Sequence, residues 1–355
     1  MTVDIKFLAA SLGVSPSTVS RALNGYTDIS AKTRERIAQR AKELNYQPNM
    51  GAQRLVRGRT DAVGLVYPLD TDLLGNPKFL TMLESFSDRL EKAGVDLLLA
   101  AARETTELVT YDRLVRGRRV DGVLLANTRV NDARIDYLKK ANFPFLGYGR
   151  CGTRDDFAWY DFDNEAGSRM AVNRLAQLGH THIAYVHSPL GLNFAMQRRA
   201  GFMQSMLALG LPVVPELVVS GRADQRGSMD RRGGYAAAEY LLGLARPPTA
   251  ILIDNNLAGV GVIRYLLNAG LVLGRDISVV VDGGIPEDTL LTDVDIASVM
   301  QPTSSDSGVA MAEMLLKIIE GETLEQAHVL VQPLFIEGAS IGPAPQRSTA
   351  QLQRA

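Results

Sequence analysis

The sequence predicts an N-terminal all-α helix-turn-helix head followed by a two-lobed α/β body of doubly wound parallel sheets. Three observations predict this. Residues 13–25, GVSPSTVSRALNG, put a helix-stopping glycine, a Ser-Pro helix start and four hydroxyl side chains in one short stretch. Residues 1–60 hold ten Lys/Arg against four acids, a net of +6, and the overall charge of −1 leaves −7 for the remainder. From residue 62 onward, compact apolar runs alternate with helical segments, as in parallel sheets wound on both faces.

Whole-chain properties set the limits. At 355 residues the chain is too long for one small domain. Apolar content of 46% with 22% charged residues is enough to bury a real core. One cysteine, Cys151, excludes an internal disulfide framework and fits a reducing cytosol. The N-terminus MTVDIKFLAASLG has charges where a signal peptide needs an apolar stretch. No run reaches the roughly 18 apolar residues of a membrane span. A cytoplasmic protein with no membrane partner is expected.

Asp4 to Leu12 reads as a short helix with Ile5, Leu8, Ala9 and Leu12 facing inward, stopped by Gly13. Ser15 is a good N-cap and Pro16 suits the first helical position, so a second helix starts there. Its Val19, Ala22 and Leu23 pack inward, leaving Ser17, Thr18, Ser20 and Arg21 outside, and Asn24-Gly25 end it. A third helix opens at Ser30 and runs through Ile37, Ala41 and Leu44 to about Asn45. Two helices joined by a tight Gly-containing turn, with a third closing the core, is helix-turn-helix geometry. Short hydroxyls and an arginine at the start of a recognition helix suit phosphates and base edges in a major groove, and the basic head supports a polyanion partner. The competing reading is a plain three-helix cap with solvated charges.

The stretch LAASLGVSPSTVSRALNG, with ISAKTRERIAQRAKELNYQPNMGAQRLVRGRT, resembles the head of the LacI/GalR family of bacterial transcription regulators. The resemblance is dense over about 60 residues, and later motifs extend it along the chain. It implies a dimeric, operator-binding regulator whose DNA affinity is set by a small effector. Position by position, it makes Ser15, Pro16, Ser17, Thr18, Ser20, Arg21, Asn24 and Thr33 candidate DNA contacts. Proline at position 16 has no side-chain donor, so readout there is apolar or absent. QPNMGAQRLVRGRT resembles the family's hinge helix, with Asn49 as cap, Gln53 as a contact and Leu55 as the wedge pushed into the minor groove. Gly51 lowers helix propensity by about 1 kcal/mol relative to Ala, which suits a helix that forms only on DNA.

In the body, AVGLVY, VDLLLAA, DGVLLAN, FPFLGYG, HIAYVHS, LVVS, TAILID and ISVVVDG read as strands. Helices are expected near 77–93, 104–117, 132–142, 165–179, 194–210, 230–244 and 256–270. So many strands exceed one compact sheet, so two lobes with ligand between them at the strand carboxyl ends are expected. The family resemblance adds three crossings between lobes, placed near 160–163, 288–294 and 320–323. The resulting division is a head over 1–47, a hinge over 48–60 and a periplasmic-binding-protein-like body over 61–342. Lobe 1 is 61–161 with 292–321, and lobe 2 is 162–291 with 322–342. Residues 343–355, polar and low in apolar content, are expected to be a disordered tail.

An enzyme reading finds none of the glycine-rich, nucleophile-elbow or metalloprotease motifs. His180 and His182 lack a Cys or Asp cluster to complete a metal site, so no metal and no cofactor are expected. Trp159 reads as packing.

The resemblance places ligand contacts at Arg198, in AMQRRAGF, at Asn255, in ILIDNNLAGVGV, and at Gln301, in SVMQP. SVVVDGG has its aspartate, Asp282, one residue earlier than the family pattern. A guanidinium fork fits vicinal hydroxyls, and a carboxylate accepts paired hydroxyls. On the other lobe Asp70, Phe79 and Arg150 are candidates, each with a lobe–lobe salt bridge or loop cap as the competing role. This set suits a neutral sugar or glycoside better than a purine. The predicted function is an effector-controlled transcription repressor acting as a homodimer on double-stranded operator DNA. The alternative is a sugar-binding protein of periplasmic type.

Overall fold

The computed structural model describes residues 4–23, 26–46, 58–67, 77–220, 230–286, 289, 291–302 and 304–346. The chain divides into two compact units between Thr60 and Asp61.

In the first unit, α1 (Ile5–Leu12) is capped by Asp4, whose carboxylate accepts the Phe7 N–H at 2.7 Å. It stops at Gly13, in the left-handed region at φ 66°, where glycine carries no steric penalty. α2 (Pro16–Leu23) starts on Ser15, whose hydroxyl accepts the Thr18 N–H at 3.1 Å. α3 (Ala31–Glu43) starts on Ser30, which accepts the Thr33 N–H at 3.2 Å. Leu8, Ala9, Val19, Ala22, Ile37 and Ala41 form the core between them, the residues that helical spacing points inward.

In the second unit the chain runs β1 (Ala62–Tyr67), α4 (Pro77–Glu91), β2 (Asp96–Ala101), α5 (Glu107–Arg116), β3 (Gly122–Leu125), α6 (Ala133–Lys140), β4 (Phe145–Tyr148) and β5 (Trp159–Phe162). It continues through α7 (Asn164–Gln177), β6 (Ile183–His187), α8 (Asn193–Ala208), β7 (Val218–Ser220), α9 (Arg231–Leu242), β8 (Ala250–Ile253), α10 (Asn256–Asn268), β9 (Ser278–Asp282) and β10 (Ala297–Met300). Last come α11 (Ser304–Glu320), β11 (His328–Val331) and β12 (Leu334–Ile336). One sheet has the order β11-β5-β4-β3-β1-β2 and the other β12-β10-β9-β8-β6-β7. Every pairing is parallel except β10 with β12.

Each sheet is covered on both faces. Val63 and Leu65 of β1 pack with Phe86 and Leu315, while Ala62 and Val66 pack with Leu114 and Leu138 on the opposite side. Val279 and Val281 likewise face one core and Val280 the other. Such strands read as continuous apolar runs because alternate residues face two dry layers.

The chain passes between lobes after β5, after β10 and after β11. The second and third passages therefore fall between 300 and 304 and between 331 and 334, about ten residues later than expected. β10 belongs with β9 in lobe 2, through Ala297 opposite Val280. β11 belongs with β5 in lobe 1, through His328 opposite Trp159. These four-residue strands carry no local signal for either sheet; long-range pairing decides. The start of the expected disordered tail is also docked, since the Ala344 N–H donates to the Leu178 carbonyl at 2.8 Å.

His180 is built in: its ring bonds the Thr249 hydroxyl, the Ser278 hydroxyl and the Gly342 carbonyl at 2.9–3.0 Å, and burial lowers its pKa. His182 meets the Arg246 carbonyl at 3.0 Å. Trp159 stacks on His328 with centroids 4.9 Å apart.

Candidate functional site

On the head, the N-terminus of α2 carries a chain of hydroxyls. Ser15 Oγ lies 2.7 Å from Ser17 Oγ and 2.8 Å from Thr18 Oγ1. Pro16 and Ser17 are exposed, and Thr18 and Ser20 are half-buried. Thr33 sits at the start of α3 with its hydroxyl 2.8 Å from Ser30 Oγ. Arg21 is exposed but not open: it pairs with Asp28 and lies over the Tyr26 ring, 5.5 Å from its centroid. An ion pair between two half-exposed side chains is weak, so a phosphate can displace Asp28. Asn24, Asn49, Gln53, Leu55 and, on the body, Asp70 lie outside the described residues, as do residues 48–57 of the expected hinge.

In the body, the carboxyl ends of β8 and β9 and the flank of α8 converge on one buried cluster. Arg198, 8% exposed, donates from Nε to Asn164 Oδ1 at 2.9 Å and from Nη1 to the Asp254 carbonyl, and pairs through Nη2 with Asp282 at 3.1 Å. Its guanidinium also covers the Phe194 ring at 5.0 Å. Asp282 ends β9 and is 5% exposed. Burial pushes its pKa up to about 6, against the pull of the Arg198 charge. Asp254, directly after β8, is 1% exposed, and burial raises its pKa too. It accepts the Ser188 N–H at 2.6 Å, the Ser188 hydroxyl at 2.8 Å and Asn255 Nδ2 at 3.0 Å. Asn255 is the cap of α10, accepting the Ala258 N–H at 2.8 Å. Gln301 follows β10 directly and is half-buried.

From lobe 1, Phe79 of α4 stacks on Tyr67 of β1 at 4.5 Å, and both pack in the core of that lobe. Arg150 is held in ion pairs. It pairs with Asp161 at 2.8 Å and with Glu165 of α7 at 3.2 Å, a lobe–lobe salt bridge. A second bridge joins the lobes at the start of α8. The Val130 N–H donates to the Gly191 carbonyl at 3.2 Å, and the Asn193 N–H donates to the Thr128 carbonyl at 2.9 Å. The Gly152 N–H donates to Asn193 Oδ1 at 3.0 Å.

Arg198, Asn255 and Asp282 are thus brought together, and Arg150 stands at the margin of their cluster, since its partner Asp161 also accepts from Nδ2 of Asn164, which holds Arg198. Sequence reasoning missed Asn164, Asp254 and Lys78, the last half-buried in the first turn of α4. Asp254 had a signal, an acid directly after an apolar run in AILID. Asn164 had only its place after the first crossing.

A helix-turn-helix head and a two-lobed body with a buried ion pair at its strand ends are the parts of a ligand-responsive DNA-binding regulator. Residues 5–49 match the bacterial regulatory proteins of the lacI family, and residues 60–338 match the periplasmic binding proteins and sugar binding domain of the LacI family. The chain belongs to the LacI family. It is similar to the HTH-type transcriptional regulator RafR of Escherichia coli, 37% identical over 340 residues covering 96% of this chain and 98% of that protein. Among solved structures it is similar to a transcriptional regulator from Yersinia pestis biovar Microtus str. 91001, at 38% identity, 80% coverage of this chain, 99% of that one and a TM-score of 0.72. It is also similar to the transcriptional regulator CelR in complex with cellobiose, at 28% identity, 95% and 99% coverage and a TM-score of 0.71. No helix among the described residues is long and apolar enough to cross a membrane.

Proposed function

We propose that this chain is a sequence-specific transcription repressor whose operator affinity is controlled by a neutral sugar or glycoside bound between the two lobes. It acts as a cytoplasmic homodimer and catalyses no reaction. The observation that carries the reading is the buried Arg198–Asp282 pair at the strand ends, flanked by Asn255. A fork of N–H donors beside a carboxylate matches vicinal hydroxyls, each of which both donates and accepts. The LacI-family head over residues 5–49 favours a regulator over a stand-alone sugar-binding protein. The cellobiose complex of a relative supports a saccharide as the effector class.

Ser15 to Arg21 and Thr33 supply the head's contacts to phosphates and bases, with Leu55 as the minor-groove wedge. Sugar binding draws the lobes together and shifts the population away from the operator-binding form. A mobility-shift assay with the gene's own upstream DNA, run with and without neutral disaccharides, tests this. A specific shift that a sugar reverses is expected; no specific shift on any upstream segment contradicts it.

A further inference from the structure

Asp282 is followed by Gly283 and Gly284, both in left-handed backbone at φ 83° and 65°. These two glycines place no side chain over the carboxylate, and a charge stands near it from the other lobe. Lys78, in the first turn of α4, is half-buried and places Nζ 2.9 Å from Sδ of Met300, at the end of β10. Asp282 and Arg198 both lie close enough to act on its ammonium, and burial holds its pKa below the usual lysine range. Among the described residues, Lys78 and Arg198 stand with Asp254 and Asp282, and Arg150 stands with Asp161 and Glu165. These charges carry no positive excess that would attract a uronate or a sugar phosphate. Their donors and acceptors do fit hydroxyls.

We propose that Lys78 is the specificity-determining residue of this cleft: its ammonium, carried in by lobe 1, balances the two carboxylates and binds an acceptor oxygen of a neutral glycoside. The proposal rests on reading the cleft as an effector site. A thioether is a weak acceptor, so a sugar oxygen that takes the place of Met300 Sδ gives the ammonium a stronger bond. Since Lys78 and Asp282 stand on different lobes, one ligand bonds both only when the lobes are together.

Calorimetry on the full-length protein tests this with cellobiose, maltose, lactose and melibiose, and with glucuronate as the acidic probe. Wild type is expected to bind at least one neutral disaccharide, and glucuronate at least about tenfold more weakly. Lys78→Met, which keeps the stem and loses the charge, is expected to weaken the preferred disaccharide by about tenfold, while Lys78→Arg keeps most of the affinity. Melting temperatures of both variants separate misfolding from lost recognition, and Lys78→Gln replaces Lys78→Met if the latter does not fold. Unchanged disaccharide affinity without the lysine charge overturns the proposal, as does glucuronate binding tighter than every neutral probe. Asp282→Asn separates the two readings. If it loses the sugar while Lys78→Met keeps it, the cleft stands and the role of Lys78 falls. If wild type binds none of the four disaccharides, both fall.

Discussion

Arg198 is held by Asn164, Asp254 and Asp282 and by the ring of Phe194, so its removal leaves a buried carboxylate without its counter-ion. Arg198→Ala is expected to lower stability by about 3–5 kcal/mol, which makes it a blunt probe. Asp282→Asn is gentler, because an amide keeps one acceptor. It is expected to weaken sugar binding by about 1.5–3 kcal/mol, roughly ten- to a hundredfold, measured by calorimetry. The raised pKa of Asp282, about 6, adds a pH dependence. Arg198 and Lys78 pull that value down, and burial and Asp254 push it up. Sugar hydroxyls donate to the ionised carboxylate, so binding favours loss of the proton. Affinity is then full above pH 6 and falls below it, by up to about tenfold per pH unit. An affinity that stays flat from pH 7.5 to 5 contradicts the contact. At this scale Arg198, Asn255 and Asp282 were legible, since each stands in a motif tied to a strand end or to the helix that flanks it. Lys78 was not legible, because it stands in the first turn of α4 with no motif around it, and Arg150 carried two competing roles. Their partners across the cleft, Met300 for one and Glu165 for the other, are visible only in the structure.

Most helices and the long strands were legible within a few residues, because their apolar spacing and caps agree. β5, β10, β11, β12 and α11 were not, and four of these five are strands of three or four residues that depend on pairing with distant segments. The junction between α8 and lobe 1 was equally hidden, since two of its three hydrogen bonds are backbone to backbone. Asn193 contributes the third and is 1% exposed. It stands five residues before Arg198 on the same helix, so this element links the sugar cluster to the far lobe. Asn193→Ala is expected to weaken sugar binding about three- to tenfold by freeing the lobes, while Asn193→Asp, which keeps the acceptor for the Gly152 N–H, retains it. Equal calorimetric affinities in both variants and wild type would remove α8 from the coupling.

The whole molecule joins a basic first segment to an acidic remainder, +6 over residues 1–60 and −7 beyond. Binding of the operator releases counter-ions, so the logarithm of affinity is expected to fall with the logarithm of salt at about −0.9 per phosphate contact, and a salt-independent affinity contradicts the role of the head. The division into head and two-lobed body was legible, because composition and period change near residue 60. Two of the three crossings were misplaced, because sheet membership is decided by pairing and not by local composition. Control of the head by the cleft is the central claim, and operator affinity measured with and without sugar tests it most directly. Fluorescence anisotropy of a labelled operator duplex, with full-length wild type and Asp282→Asn side by side, gives that reading. The sugar found by calorimetry is expected to weaken wild-type operator binding by at least about fivefold and to leave Asp282→Asn unmoved at the same concentration. A sugar that saturates the wild-type cleft without changing operator affinity would contradict the account.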